Sequence, residues 1–258
     1  MKKFIAILAF AAVSTILVGC GEEKIVELGS LQQRGGVYVV PETQKPYSGK
    51  FVETRENVVI RAGSLKNGKF YGEITIYRKD GSIIDVINYK GGIVQRDSFT
   101  DSRDGKKYAT VKIIGQTWMA ENLNYDAAGS GCYGNNPANC QTYGRLYNWN
   151  TALKACPSGW HLPGDDEWQK LVDITGGGET AGTILKAASG WKDNGNGTDE
   201  YGFSALPAGD DGDYCGWWSS TENNATSAYL RHMHFNHSKV DRDSHDKSYL
   251  FSVRCLQD

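Results

Sequence analysis

Outside its first twenty residues the chain has no apolar run long enough to cross a bilayer. A spanning helix needs about 20 such residues, so no later segment reads as a transmembrane helix. Proline is scarce, six residues against 31 glycines, and 14 tyrosines and seven tryptophans accompany them. That balance suits a turn-rich, β-containing exported protein. No sign of charge dominates: the net charge is −2, and it becomes −4 when Lys2 and Lys3 are removed with the leading segment. Nucleic acid and anionic lipid surfaces both call for a basic excess, so neither is expected as an electrostatic partner. No Ser/His/Asp order, phosphate-cradling loop or paired-acid motif stands out, and no catalysis is expected. Residues 21–100 lack both tryptophan and cysteine. All seven tryptophans lie between Trp118 and Trp218, and the five cysteines other than Cys20 lie between Cys132 and Cys255. This shift predicts two units meeting near Thr100.

What is present begins with Lys2 and Lys3, followed by Phe4 to Leu17, apolar apart from Ser14 and Thr15. The length suits the hydrophobic region of a signal peptide. It ends in Leu17-Val18-Gly19-Cys20, which resembles the lipobox of bacterial lipoproteins. The resemblance implies cleavage before Cys20 and lipidation of that residue. Several acyl chains on one residue anchor stably, where one chain binds marginally. Gly21, rather than Asp, follows the cysteine, which in such lipoproteins favours the outer membrane. The expected organisation is therefore a signal peptide over 1–19, an anchor and linker over 20–46, a β-hairpin region over 47–100 and a larger domain over 101–258. The membrane is an expected partner through lipid on Cys20.

Residues 47–100 read as short β runs broken by glycine. Lys69 to Tyr77 alternates and leads to Asp80-Gly81, a strong hairpin signal, with Ser82 to Tyr89 as the return strand. Asn67-Gly68 makes another turn, and Tyr47-Ser48-Gly49-Lys50-Phe51 repeats the beat earlier. A recurrence at this scale is one at which repeats are sought. The pattern resembles degenerate MORN-type repeats. It predicts a small antiparallel sheet spacing the C-terminal domain from the membrane.

In 101–258, Thr110 to Ile114 reads as a strand. Asn148 or Asn150 is a plausible N-cap for a helix running to Cys156, stopped by Pro157. Asp165 to Val172 reads as a second helix, with early acids at its N-terminus and Trp168, Leu171 and Val172 on one face. Strands are expected at Phe203 to Leu206, Trp217 to Ser219, Ala228 to Phe235 and Tyr249 to Leu256. Six ordered blocks carry a resemblance: Thr117 to Leu123 (TWMAENL), Tyr143 to Trp149 (YGRLYNW), Ala155 to Pro163 (ACPSGWHLP), Phe203 to Gly209 (FSALPAG), Trp217 to Glu222 (WWSSTE) and Ser252 to Cys255 (SVRC). Together they resemble the Fibrobacter succinogenes major paralogous domain. That resemblance implies an α+β, C-type-lectin-like fold with two helices and short antiparallel sheets, on a surface or secreted protein with no established reaction. Cys156, Gly159, Leu162, the Glu167–Val172 helix and Cys255 fall in the order such domains use, which implies a Cys156–Cys255 bridge. Leu162-Pro163-Gly164-Asp165-Asp166-Glu167-Trp168 is also similar to an element of the formylglycine-generating, sulfatase-modifying enzymes. Their copper chemistry needs a thiol pair near the end of the domain, where only Cys255 stands.

Cys132 and Cys140 bracket a turn-rich loop and are expected to form a local bridge in an oxidising compartment. Cys215 is left over and is expected to be buried and inert. Asp210, Asp211 and Asp213 offer hard oxygen ligands, so calcium is the one cofactor kept in view, although the calcium tripeptides of sugar-binding lectins are absent. His232 and His234 alternate on a strand and share one face, a spacing that can also co-ligate zinc. With Arg231, Met233 and Phe235 forming the less polar face, they are read as solvent-facing ligand contacts and no metal site is expected. Tyr214, Trp217 and Trp218 flank the glycine-rich loop. Adjacent strand residues face opposite sides, so one of the two tryptophans is expected in the core and the other in a site with the aspartates. The expected role is to bind an extracellular ligand, a polysaccharide or a surface protein. The alternatives are a structural envelope protein and an enzyme of the formylglycine-generating branch.

Overall fold

The computed structural model describes residues 24–208 and 212–258. The leading apolar segment, Cys20, Asp210 and Asp211 lie outside these residues. Among the described residues no helix is long and apolar enough to cross a membrane.

The first part of the chain is built of strands: β1 (Ile25–Glu27), β2 (Gln32–Arg34), β3 (Val37–Val39), β4 (Gly49–Arg55), β5 (Val58–Lys66), β6 (Lys69–Tyr77), β7 (Ile83–Lys90) and β8 (Ile93–Val94). Six of them form one sheet in the order β1-β4-β5-β6-β7-β8, while β2 and β3 pair separately. The turn between β5 and β6 is Asn67-Gly68, both with positive φ, flanked by the Lys66–Lys69 pair. Two-residue loops of this kind match the twist of the strands they join. At Gly68 a side chain would also run into Val37 and the Tyr38 carbonyl. The sheet buries Phe51, Leu65, Ile74, Ile87, Tyr89 and Val94 on one face and leaves Ile25, Tyr71, Val86 and Ile93 exposed.

The linker expected over 20–46 is corrected here. Residues 25–39 form three strands, and β1 runs parallel to β4 with Val26 opposite Phe51. Three-residue strands leave too short an alternation to be visible in sequence.

The second part contains β9 (Asp97–Thr100), β10 (Lys107–Ile113), β11 (Gln116–Met119), α1 (Pro137–Tyr143), β12 (Leu146–Tyr147), α2 (Trp149–Ala152), β13 (Trp160–His161), α3 (Asp165–Ile174) and α4 (Ala181–Leu185). It ends with β14 (Tyr214–Glu222), β15 (Ser227–His234), β16 (Asp241–Asp246), β17 (Phe251–Ser252) and β18 (Leu256–Gln257). Two five-stranded sheets result, β13-β18-β11-β10-β9 and β12-β17-β14-β15-β16. The fold class is α+β. Since β9 pairs with β10, the structural boundary falls between Val94 and Asp97, slightly before Thr100.

Four helices stand where two were expected. The additional α1 begins inside the Cys132–Cys140 loop and continues past Cys140, with Pro137 in its first turn and the Asn136 side chain accepting from the Ala138 N–H. The additional α4 is a five-residue helix whose Ala181, Gly182 and Leu185 are buried. In α2 the Asn148 carboxamide accepts from the Thr151 N–H at 2.9 Å, and the helix stops at Ala152, short of Cys156. In α3 the buried Trp168, Leu171 and Val172 follow helical spacing, and Glu167 accepts from the Gly164 N–H at 2.8 Å. The strand expected at Phe203 to Leu206 is reduced to a bridge between Ala205 and Lys186, and the Tyr249–Leu256 run divides into β17 and β18. Disulfides join Cys132 to Cys140 and Cys156 to Cys255.

Two apolar clusters flank β14. The first gathers Trp118, Trp168, Phe203, Cys215 and Trp217, and it continues without interruption into Phe51, Ile74 and Tyr89 of the first sheet. The second gathers Met119, Tyr147, Trp149, Trp160, Trp218 and Leu230. Polar contacts reinforce the junction with the first sheet. Arg61 pairs with Glu53 at 2.6 Å and Glu200 at 3.0 Å, the Tyr89 hydroxyl donates to the Glu200 carbonyl, and the Ile114 N–H donates to Asp85 at 2.6 Å. The first sheet thus shares a core with the second part of the chain.

Candidate functional site

Strand register decides which of the expected residues meet. In the β14–β15 pair Tyr214 lies opposite His234, and Gly216 lies opposite His232. In the β15–β16 pair His232 lies opposite Asp241. Side chains alternate across a sheet, so Tyr214, His232, His234 and Asp241 project on one side. Their neighbours Cys215, Arg231 and Met233 are buried on the other.

The rings form a continuous strip. Centroids of Tyr214 and His234 are 5.0 Å apart, Tyr214 and His232 5.6 Å, His232 and His234 5.3 Å, and His234 and His237 5.3 Å. Gly216 gives the tyrosine its place, because a Cβ there would lie 2.6 Å from the Tyr214 hydroxyl. His237 faces the Asp241 carboxylate at 3.3 Å. Lys186 supports the turn beyond β15, donating to the carbonyls of His234 and His237, the latter at 2.7 Å. Asp213 is fixed beside the strip through its carbonyl, which accepts from the Phe235 N–H at 2.8 Å.

Burial sets the protonation of this face. It pushes the imidazoles of His232 and His237 below the ordinary range, against the opposing pull of Asp241. Burial also pushes the Tyr214 phenol well above its ordinary value. These shifts favour the neutral form of the His232 and His237 imidazoles and of the Tyr214 phenol near pH 7. Each neutral imidazole offers one donor and one acceptor beside an apolar ring face. The Nδ1 atom of His232 is buried and has no hydrogen-bond partner among the described residues. A surface of this kind can stack on a ring and exchange hydrogen bonds with its hydroxyls.

Of the residues expected at the site, Asp213, Tyr214, His232 and His234 are brought together, while Asp210 and Asp211 lie outside the described residues. Trp217 and Trp218 are corrected. Both are 0% exposed, Trp217 in the first cluster and Trp218 in the second. Their indole N–H groups are used internally, donating to Asn122 Oδ1 at 2.7 Å and the Tyr147 carbonyl at 2.8 Å. Opposite projection holds for the pair, but β14 is covered on both faces. Asp241 was not anticipated, because β16 reads Asp-Arg-Asp-Ser-His-Asp and carries no apolar alternation. Among the described residues no group of three His, Cys, Asp or Glu side chains is arranged to hold a metal ion. Cys215 is buried, and burial raises its thiol far above the ordinary range.

The fold and this face define a disulfide-closed α+β domain presenting a ring-lined strip. Its family is then given by comparison with known proteins: the model of the Fibrobacter succinogenes major domain matches residues 111–257, and the chain belongs to that family. None of the curated proteins and none of the solved structures matches it.

Proposed function

We propose that this protein is a non-enzymatic cell-surface lipoprotein whose C-terminal domain is C-type-lectin-like and binds an extracellular polysaccharide. The observation that carries the binding reading is the assembly of Tyr214, His232, His234 and His237 into one strip along the β14–β15 pair and the turn after it, beside Asp241. The lectin-like reading is supported by the order α2, Cys156, Gly159, Leu162, α3 and Cys255, with the Cys156–Cys255 bridge tying the first helical segment to the end of the chain. A binding role is favoured over the formylglycine-generating reaction because Cys255 is committed to a disulfide and the Cys215 thiol is buried. In this reading lipid on Cys20 holds the chain at the outer membrane, and the β4–β7 hairpins are degenerate MORN-type repeats forming a base under the head.

The purified mature chain applied to plant and bacterial glycan arrays tests the binding reading. Retention of a defined set of polysaccharides, reduced by a His232→Ala/His234→Ala double variant that keeps its fold, is the expected outcome. Silence across glycans together with protein partners in a cross-linking pull-down would sink the polysaccharide reading in favour of an envelope protein. Labelling cells with a palmitate analogue tests the anchor; uptake by a Cys20→Ser variant would overturn it.

A further inference from the structure

A second feature lies away from the histidine strip. A cleft of about 640 Å3 opens between the β9–β10 edge, the Asn122–Asn124 segment, the end of α1 and the Ala187–Ser189 turn. Its lining carries four cations, Arg96, Lys106, Lys107 and Arg254, against two anions, Glu121 and Asp199. The anions are already engaged. Asp199 pairs with Arg96 at 3.0 Å and accepts from the Ser204 N–H at 2.6 Å, and Glu121 accepts from the Ala109 N–H at 2.7 Å. Lys106 pairs with Asp104 at 3.3 Å, outside the lining.

Arg254 is the deepest of the cations and is 1% exposed. Its guanidinium is clamped between the Phe203 ring at 4.2 Å and the Trp217 ring at 5.4 Å. Every hydrogen-bond partner it has is neutral, and the Asp199 and Glu121 carboxylates act on it only from beyond contact. Nε and Nη2 both donate to Asn122 Oδ1, at 3.2 and 2.9 Å, and the other acceptors are the Phe203 and Ser204 carbonyls. Asn122 Oδ1 also takes the Trp217 indole N–H, so three donors converge on one uncharged oxygen that has two lone pairs. Among the described residues no carboxylate lies within ion-pair distance of Arg254 or Lys107. A buried cation without a counter-charge is costly and is ordinarily paired. Burial accordingly brings the Arg254 guanidinium down to about 9.

We infer that this cleft is a binding subsite for the carboxylate of an acidic saccharide, with Lys107 at the rim and Arg254 behind it supplying positive charge in excess of the cleft's own two carboxylates. The remaining lining favours a sugar over a peptide: Asn124, Gln141, Thr142 and Ser189 present amide and hydroxyl groups suited to ring hydroxyls, and exposed apolar side chains are few. The volume falls within the range of small-molecule sites. The inference does not depend on the histidine strip, whose residues take no part in the cleft.

The test is a titration of the mature chain with trigalacturonate, its fully methyl-esterified form and poly-glutamate, followed by calorimetry and by the indole N–H resonance of Trp217. Trigalacturonate is expected to bind and shift that resonance, more weakly as salt rises. Methyl esterification removes a charge-assisted contact, which corresponds to a loss of roughly 10- to 100-fold in affinity. The rim variant Lys107→Glu, exposed and free of packing duties, is expected to weaken trigalacturonate binding severalfold while leaving the melting temperature unchanged. Equal binding of acid and ester, binding of poly-glutamate in preference to trigalacturonate, or no binding of any of the three would each overturn the inference. His232→Ala/His234→Ala should leave this titration unchanged, which separates its failure from failure of the strip.

Discussion

Asn122 shows how much can rest on one neutral side chain. Its Oδ1 satisfies the Trp217 indole and the Arg254 guanidinium, and its Nδ2 donates to the Tyr143 carbonyl at 2.9 Å. Replacing it with alanine leaves an indole N–H unmatched and strips a buried cation of one of its three acceptors, so Asn122→Ala is expected to cost about 3 kcal/mol in urea denaturation. A second residue-scale consequence concerns acid. His232 and His237 are held below the ordinary imidazole value, so the unfolded chain takes up protons near pH 6.5 that the folded chain refuses. Their contribution to stability is complete above that pH and is lost as pH falls. His161 behaves in the opposite sense. Burial alone would lower it, but the hydrogen bonds its ring donates to the Asp258 and Glu167 carboxylates outweigh that and raise it, so its contribution is present at low pH and lost as pH rises through its folded value. Urea midpoints at about pH 7.5 and about pH 5.5 separate the two. His232→Phe should flatten the loss on acidification, and His161→Gln should steepen it. An unchanged slope in both variants would mean that these imidazoles are not the groups responsible.

At the scale of elements, the two disulfides constrain very different lengths of chain. Cys132–Cys140 spans eight positions and ends within α1, whereas Cys156–Cys255 spans 99 and ties the segment after α2 to the last strands. The chain-entropy model gives at most about 2.5 and about 4.7 kcal/mol respectively. Cys132→Ala/Cys140→Ala is therefore expected to lower the melting temperature modestly and leave the rest of the fold intact, and Cys156→Ala/Cys255→Ala to lower it about twice as far. Elements with strong local signals were legible beforehand. The Asp80-Gly81 turn placed the β6–β7 hairpin, and the spacing of Trp168, Leu171 and Val172 placed α3. What was not legible lacked such signals or depended on distant partners. β16 is wholly polar because it pairs with β15 along the rim of its sheet, and β1 to β3 are too short to alternate. For α1, Asn136 and Pro137 were available as a cap and a first turn, but the surrounding asparagines and glycines made the segment read as loop. The site was half legible: alternation located the histidine face, yet only the long-range packing of two clusters against β14 shows that Trp217 and Trp218 both turn inward.

For the whole molecule, the shared core is the governing fact. Phe51, Ile74 and Tyr89 of the first sheet belong to the same cluster as Trp118, Trp168 and Trp217, and Arg61 and Glu200 bridge the same junction. Apolar burial is the main driving term in folding, so the two parts should lose structure together. Calorimetry of the protein is expected to give one transition, and two resolved peaks would show that the parts are independent. Within that core, Trp118 and Trp168 have ring centroids 4.9 Å apart, and Trp168 and Trp217 are 5.8 Å apart. Transition dipoles at such separations do not absorb independently. The three indoles should act as one chiral chromophore, giving an excitonic circular-dichroism couplet that vanishes on unfolding. The molecule thereby carries an optical gauge of its own interior, readable without any attached label.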